Sequence, residues 1–67
     1  MEIDEALRRA MKALREQDLM YREEFRLTAK KVEQEWVFWF VFLPETYGMD
    51  ATAMVDDNGN VRTLVGF

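Results

Sequence analysis

Asp56, Asn58 and Asn60 alternate in the stretch DDNGN, and oxygen-bearing side chains at alternate positions of a tight loop are how calcium sites are built. The full loop pattern places glycine sixth and a bidentate glutamate twelfth. Counted from Asp56, Gly59 comes fourth and the twelfth residue is Phe67. The stretch therefore predicts a hairpin turn rather than a metal site, because Asn58 and Gly59 both accept positive φ at little cost.

Catalytic chemistry is poorly provided for. Nucleophilic and acid–base catalysis at neutral pH usually recruits histidine or cysteine, and the chain has neither; serine is absent as well. Carboxylates, Tyr21, Tyr47, lysines and threonines remain. A glycosidase-like pair of carboxyl groups needs a separation of roughly 5 to 9.5 Å within a cleft, for which 67 residues leave little room. The expectation is a non-enzymatic protein with neither cofactor nor metal.

Size points to an interaction role. A chain this short makes one domain, residues 1–67, and buries only about 60% of the surface its unfolded form exposes. Small domains are usually reinforced by disulfides, a metal or a partner subunit. Without cysteine or histidine, the partner is the aid that remains. The lack of cysteine also suits a cytoplasmic protein, since secreted domains of this size are commonly disulfide-stapled. The start, MEIDEALRRAMK, has acids where a signal peptide carries bases, and the longest apolar run falls far short of the roughly 20 residues of a membrane helix. A soluble chain that does not enter a membrane is expected.

The elements that must position any site follow from periodicity. Ile3, Leu7, Ala10, Met11 and Leu14 recur at spacings of three and four, the stripe of an amphipathic helix over about 4–16. Asp4 suits its N-cap and Glu5 its first turn. Residues 17–35 fit two periods: Phe25, Leu27 and Ala29 alternate as in a strand over about 24–32, whereas Tyr21, Phe25, Ala29, Val32 and Trp36 fit a helix. A third element spans 36–43 and ends at Pro44, which cannot donate to a ladder. ETYGMD reads as a connection, followed by short strands Ala51 to Val55 and Val61 to Val65 around DDNGN. The fold expected is α+β, with an N-terminal helix packed on a four-stranded antiparallel meander. The alternative is two helices followed by three strands.

Within EWVFWFVFLPE, Trp36, Phe38, Phe40 and Phe42 point one way and Val37, Trp39, Val41 and Leu43 the other. Both sets are apolar. One helix about 10 Å wide covers two or three strands spaced about 4.8 Å apart, on one face only. The second set is buried either from within, by Leu19, Met20 and Tyr21 folding under the sheet or by a curled sheet, or by another chain.

Charge adds a direction. The net charge of −4 disfavours direct nucleic-acid binding through phosphates. The basic helix side of Arg8, Arg9, Lys12 and Arg15 is interrupted by Glu5 and Glu16, and a solvated face accounts for it. In a meander, the turn near Gln34, the DDNGN turn and the helix start share one end of the sheet. Glu2, Asp4, Glu5, Glu33, Glu35, Asp56 and Asp57 then form an acidic pole, diluted by Lys30, Lys31 and Arg62. Such a pole either reflects the polarity of turns in general or attracts a basic groove as nucleic-acid phosphate does.

In size, acidity and lack of catalytic residues the chain resembles the anti-CRISPR proteins, small phage inhibitors of bacterial defence. WVFWF also looks like the central strand of some small bacterial immunity proteins, although Glu35 stands where those often have glycine. Either resemblance implies a stoichiometric binder that occludes its target. The function expected is an acidic inhibitor of a basic, nucleic-acid-facing site on a protein partner. Glu33, Glu35, Asp56 and Asp57 would supply attraction, and Trp36 or Trp39 the apolar anchor. The alternatives are a homodimeric structural or immunity-type module, and a nucleic-acid-binding module acting through the basic helix face.

Overall fold

Alternating small and large side chains on adjacent strands decide where the helix of this protein sits. A computed structural model describes residues 1–44 and 49–65. Helix α1 spans Ile3–Glu16, and strands β1 (Phe25–Val32), β2 (Glu35–Phe42), β3 (Asp50–Asp56) and β4 (Val61–Val65) follow. They form one antiparallel sheet in the order β1-β2-β3-β4. The segment that also fitted a helix is thus a strand: its alternation pairs with β2 from Phe25↔Phe42 to Val32↔Glu35, and the two-helix alternative does not occur. Residues 45–48 of the connection lie outside the described residues, as do Gly66 and Phe67.

On the covered face β2 presents the half-buried Trp36 and the fully buried Phe38, Phe40 and Phe42, while β3 presents Ala51, Ala53 and Val55. Alanines beside an aromatic ridge leave a trough. Ala6, Ala10 and Leu14 of α1 drop into it, all wholly buried, and the helix packs on β2, β3 and β4 without reaching β1. The helical stripe is therefore centred on Ala6, Ala10 and Leu14. Leu7 and Met11 flank it, and Ile3 is exposed, contrary to its place in the expected stripe. Small residues on both sides allow close approach, so the side with least bulk faces inward.

Leu19, Met20 and Phe25 close the core beyond the helix. Tyr21 meets the edge of Phe42 at 5.3 Å between ring centroids, and Phe25 meets Phe40 at 5.1 Å. Edge-to-face contacts of this kind add about 0.5–1.5 kcal/mol beyond area burial. These residues lie on the helix side, so Leu19, Met20 and Tyr21 do not cover the opposite face. Leu43 follows the end of β2, at the bend into Pro44.

Two helix-end features differ from expectation. Glu2, not Asp4, occupies the N-cap and makes no side-chain cap; Asp4 Oδ1 instead accepts the N–H of Glu5 inside the first turn. At the other end Asp18 adopts φ 58. The Leu19 N–H reaches Leu14 O at 2.8 Å and the Asp18 N–H reaches Arg15 O at 3.1 Å, the paired bonds of a Schellman stop. Glycine usually fills that left-handed position. An aspartate there is strained and places negative charge at the negative end of the helix. Asp18→Gly is expected to stabilise the fold by on the order of 1 kcal/mol, the relief of strain and charge exceeding the added flexibility of the unfolded chain. The check is a higher denaturant midpoint at unchanged slope.

Candidate interaction surface

No described element lies over the face of the sheet away from α1. Strand pairing arranges its side chains in rows across the sheet, with Val32, Glu35 and Asp56 first, then Lys30, Val37, Met54 and Arg62. Thr28, Trp39, Thr52 and Leu64 form the next row, and Arg26, Val41 and Asp50 the last. Trp39 is 46% exposed and Leu64 61%, while Val37, Val41 and Met54 are half-buried. An apolar patch of Val37, Trp39, Val41, Met54 and Leu64 thus spans β2, β3 and β4, and β1 adds Thr28 and Lys30 beside it.

Two pairs of polar groups on this face are engaged with each other. Trp39 Nε1 donates to Asp50 Oδ2 at 2.8 Å. Arg62 Nη2, reaching past β3, donates to both carboxylate oxygens of Glu35, at 3.0 and 2.8 Å. Trp36, three residues before Trp39, stands on the other face. Its Nε1 donates to Met1 O at 3.0 Å, and Lys31 Nζ lies 5.2 Å from its ring centroid. Of the two tryptophans expected as anchors, only Trp39 belongs to the open surface.

The four acids are brought to one end of the sheet. Glu33, Gln34, Glu35, Asp56, Asp57 and Asn58 line a recess of about 670 Å³ between the β1–β2 and β3–β4 turns. Met1 N lies 3.7 Å from Asp57 Oδ1, which places the helix start at the same end. Glu33 takes φ 57 in its two-residue turn, a position glycine commonly fills in such hairpins. No three carboxylates among the described residues converge as metal ligands would.

Asp56 shows how an acid in this cluster is held. Its Oδ1 accepts the N–H groups of Asn58 and Asn60, both at 2.9 Å, and Oδ2 accepts from Asn60 Nδ2 at 3.4 Å. The Gly59 N–H bonds Asp56 O at 3.0 Å and Gly59 takes φ 84. This is a type I turn with one left-handed residue after it, so Asn58 does not share the positive φ expected of the pair. The carboxylate's N–H donors, that of Asn60 first, hold its pKa below the ordinary carboxylate range, with nearby Arg62 adding to the effect and partial desolvation opposing it.

The basic helix side is likewise partly engaged, since Arg9 bonds Glu5 Oε2 at 3.1 Å one turn away. Sequence reasoning placed Trp39 but missed Met54, Thr52 and Leu64. Alternation counted outward from the DDNGN turn marks them, because Val55 and Val61 pair across it and every second residue from them faces the helix. Compared with known proteins, the chain matches no family model, no curated protein and no solved structure. No described helix is long and apolar enough to cross a membrane.

A carboxyl whose folded pKa is depressed contributes stability above its unfolded pKa and loses it as pH falls through the folded value. Asp56→Asn is therefore expected to lower the thermal midpoint at neutral pH. It should also shrink the drop in midpoint seen on acidification through the carboxylate range. Thermal unfolding of both chains across that range is the check.

Proposed function

We propose that this chain is a non-enzymatic protein-binding domain that works by occupying a surface of another protein. The observation that carries this reading is the bare sheet face, where Trp39, Val37, Val41, Met54 and Leu64 lie together with no part of the described chain above them. Contiguous exposed apolar area of this kind marks interaction sites, and tryptophan is prominent among the residues that dominate interface energetics. The acidic end beside it sets the sign of the partner. Carboxylates gathered from two turns favour a basic surface and raise the rate of encounter with it.

The concrete form of the proposal is an acidic inhibitor, similar in action to anti-CRISPR proteins, that blocks a basic nucleic-acid-binding site. Glu33 and Asp57 supply the more outward charge. Glu35 and Asp56, held by Arg62 and by turn N–H groups, keep a fixed position and still contribute to the field. Direct nucleic-acid binding is the weaker reading, because the net charge is −4 and part of the basic helix face is paired.

The test is inhibition of DNA binding by a guide-loaded CRISPR effector complex in the presence of the purified chain. Inhibition should fall as ionic strength rises, and the double variant Asp56→Lys/Asp57→Lys should associate about tenfold more slowly at low salt, within the range that electrostatic steering spans. No inhibition, or inhibition indifferent to both salt and charge reversal, removes the proposal.

A further inference from the structure

We propose that the open sheet face is the seat of a second copy of this chain. The two copies stack sheet on sheet about a two-fold axis running across the strands, with the helices outermost. This rests on the reading of the open face as a docking surface and names the second copy as its occupant, so that a basic target would meet the acidic end rather than the sheet face.

Extent is the first argument. Four strands about 4.8 Å apart, of eight, eight, seven and five residues and so about seven on average at about 3.4 Å per residue, present roughly 19 by 24 Å. Two such corrugated faces bury on the order of 1,000 Å² in total, the lower bound for a specific interface. The contact is large enough for a dimer that dissociates on dilution.

Self-complementarity is the second. A two-fold interface must match its own surface after rotation. Rotation about an axis across the strands lays the row of Val32, Glu35 and Asp56 on the row of Arg26, Val41 and Asp50, and the two middle rows on each other. Trp39 then faces the partner's Val37, and Met54 the partner's Thr52. Arg26 comes beside the partner's Val32 and Glu35, so opposite charges meet at that rim. Rotation about an axis along the strands would instead set Lys30 on Arg62 and Glu35 on Asp56, like charge on like. One like pair, Asp56 and Asp50, remains in the favoured arrangement. It lies in the outer rows, where the roughly 30° angle between packed sheets opens toward water, and both carboxylates already hold N–H donors.

Readiness for burial is the third. A buried indole N–H without a partner is costly, but Trp39 has its acceptor within its own chain. The Glu35–Arg62 pair likewise travels as a unit. Apart from Lys30 at the β1 margin, whose long stem carries its ammonium toward water, the middle rows are left with apolar side chains and two threonines to bury.

Sedimentation of the full chain over a dilution series tests this. The expected result is a species of twice the 8.0 kDa chain mass that Trp39→Glu weakens by at least about thirtyfold, as loss of an interface hot spot does. Leu27→Lys, which alters a comparably exposed residue on the helix side, should leave the dimer intact. A wild-type chain that stays monomeric, a Trp39→Glu chain that still dimerises, or a dimer lost in Leu27→Lys overturns the proposal. Should Trp39→Glu fail to fold, iodide quenching of Trp39 in a Trp36→Phe chain serves instead. Quenching that falls as concentration rises supports the dimer, and constant quenching overturns it. A monomer whose inhibition of the effector complex is lost in Trp39→Glu overturns the second copy while the docking face stands; a monomer whose inhibition ignores that change overturns both.

Discussion

The seating of one helix on two small residues fixes most of what this molecule can do. Ala51 and Ala53 of β3 lie beside the aromatic row of β2 and leave depth for a helix backbone. With Ala6 and Ala10 facing them, two elements with little bulk meet at close range, and Phe38, Phe40 and Phe42 form the wall. Interiors pack at crystal-like density, so the position is not adjustable: a larger residue at Ala53 would lift the helix off the ridge. The helix consequently lies toward β4, β1 extends beyond it, and the described residues supply no second layer for the reverse face.

Much of this was legible from the residues. The α+β order, three of the strands and the split of the aromatic run into two faces follow from periods of 3.6 and 2, which state side-chain direction directly, whereas residues 25–32 fit both periods and only their pairing with β2 decides for a strand. The position of the helix within its face was not legible, because Ala6 and Ala53 carry little hydrophobic signal even though packing depends on their smallness. Ile3 misled for the converse reason, being strongly apolar and yet beyond the trough. The helix stop at Asp18 was hidden as well. Its bonds are backbone bonds, and the residue at the left-handed position is not the glycine that would announce it.

The acidic end shows how the same charges serve the fold and its surroundings. The meander was enough to bring Glu33, Glu35, Asp56 and Asp57 to one end, since turns two strands apart must lie together. What the sequence could not convey was their internal employment. Arg62 spans β3 to hold Glu35, and Asp56 organises its own turn through N–H groups of Asn58 and Asn60. An exposed ion pair is worth little to stability. Its effect here is to orient the rim of the open face, and Trp39 with Asp50 does the same at the opposite rim.

The outer margin of β1 has a different bearing on how such a molecule behaves in a crowded cell. Sheet margins invite end-to-end growth into filaments, and basic side chains are among the devices that discourage it. β1 carries Arg26, Lys30 and Lys31 within eight residues and no acid, so the margins of two molecules repel when brought side by side. β4, the other margin, is only five residues long. The chain thus guards against polymerisation at its borders while leaving its broad flat side uncharged at the centre, a division that permits finite association and resists fibres.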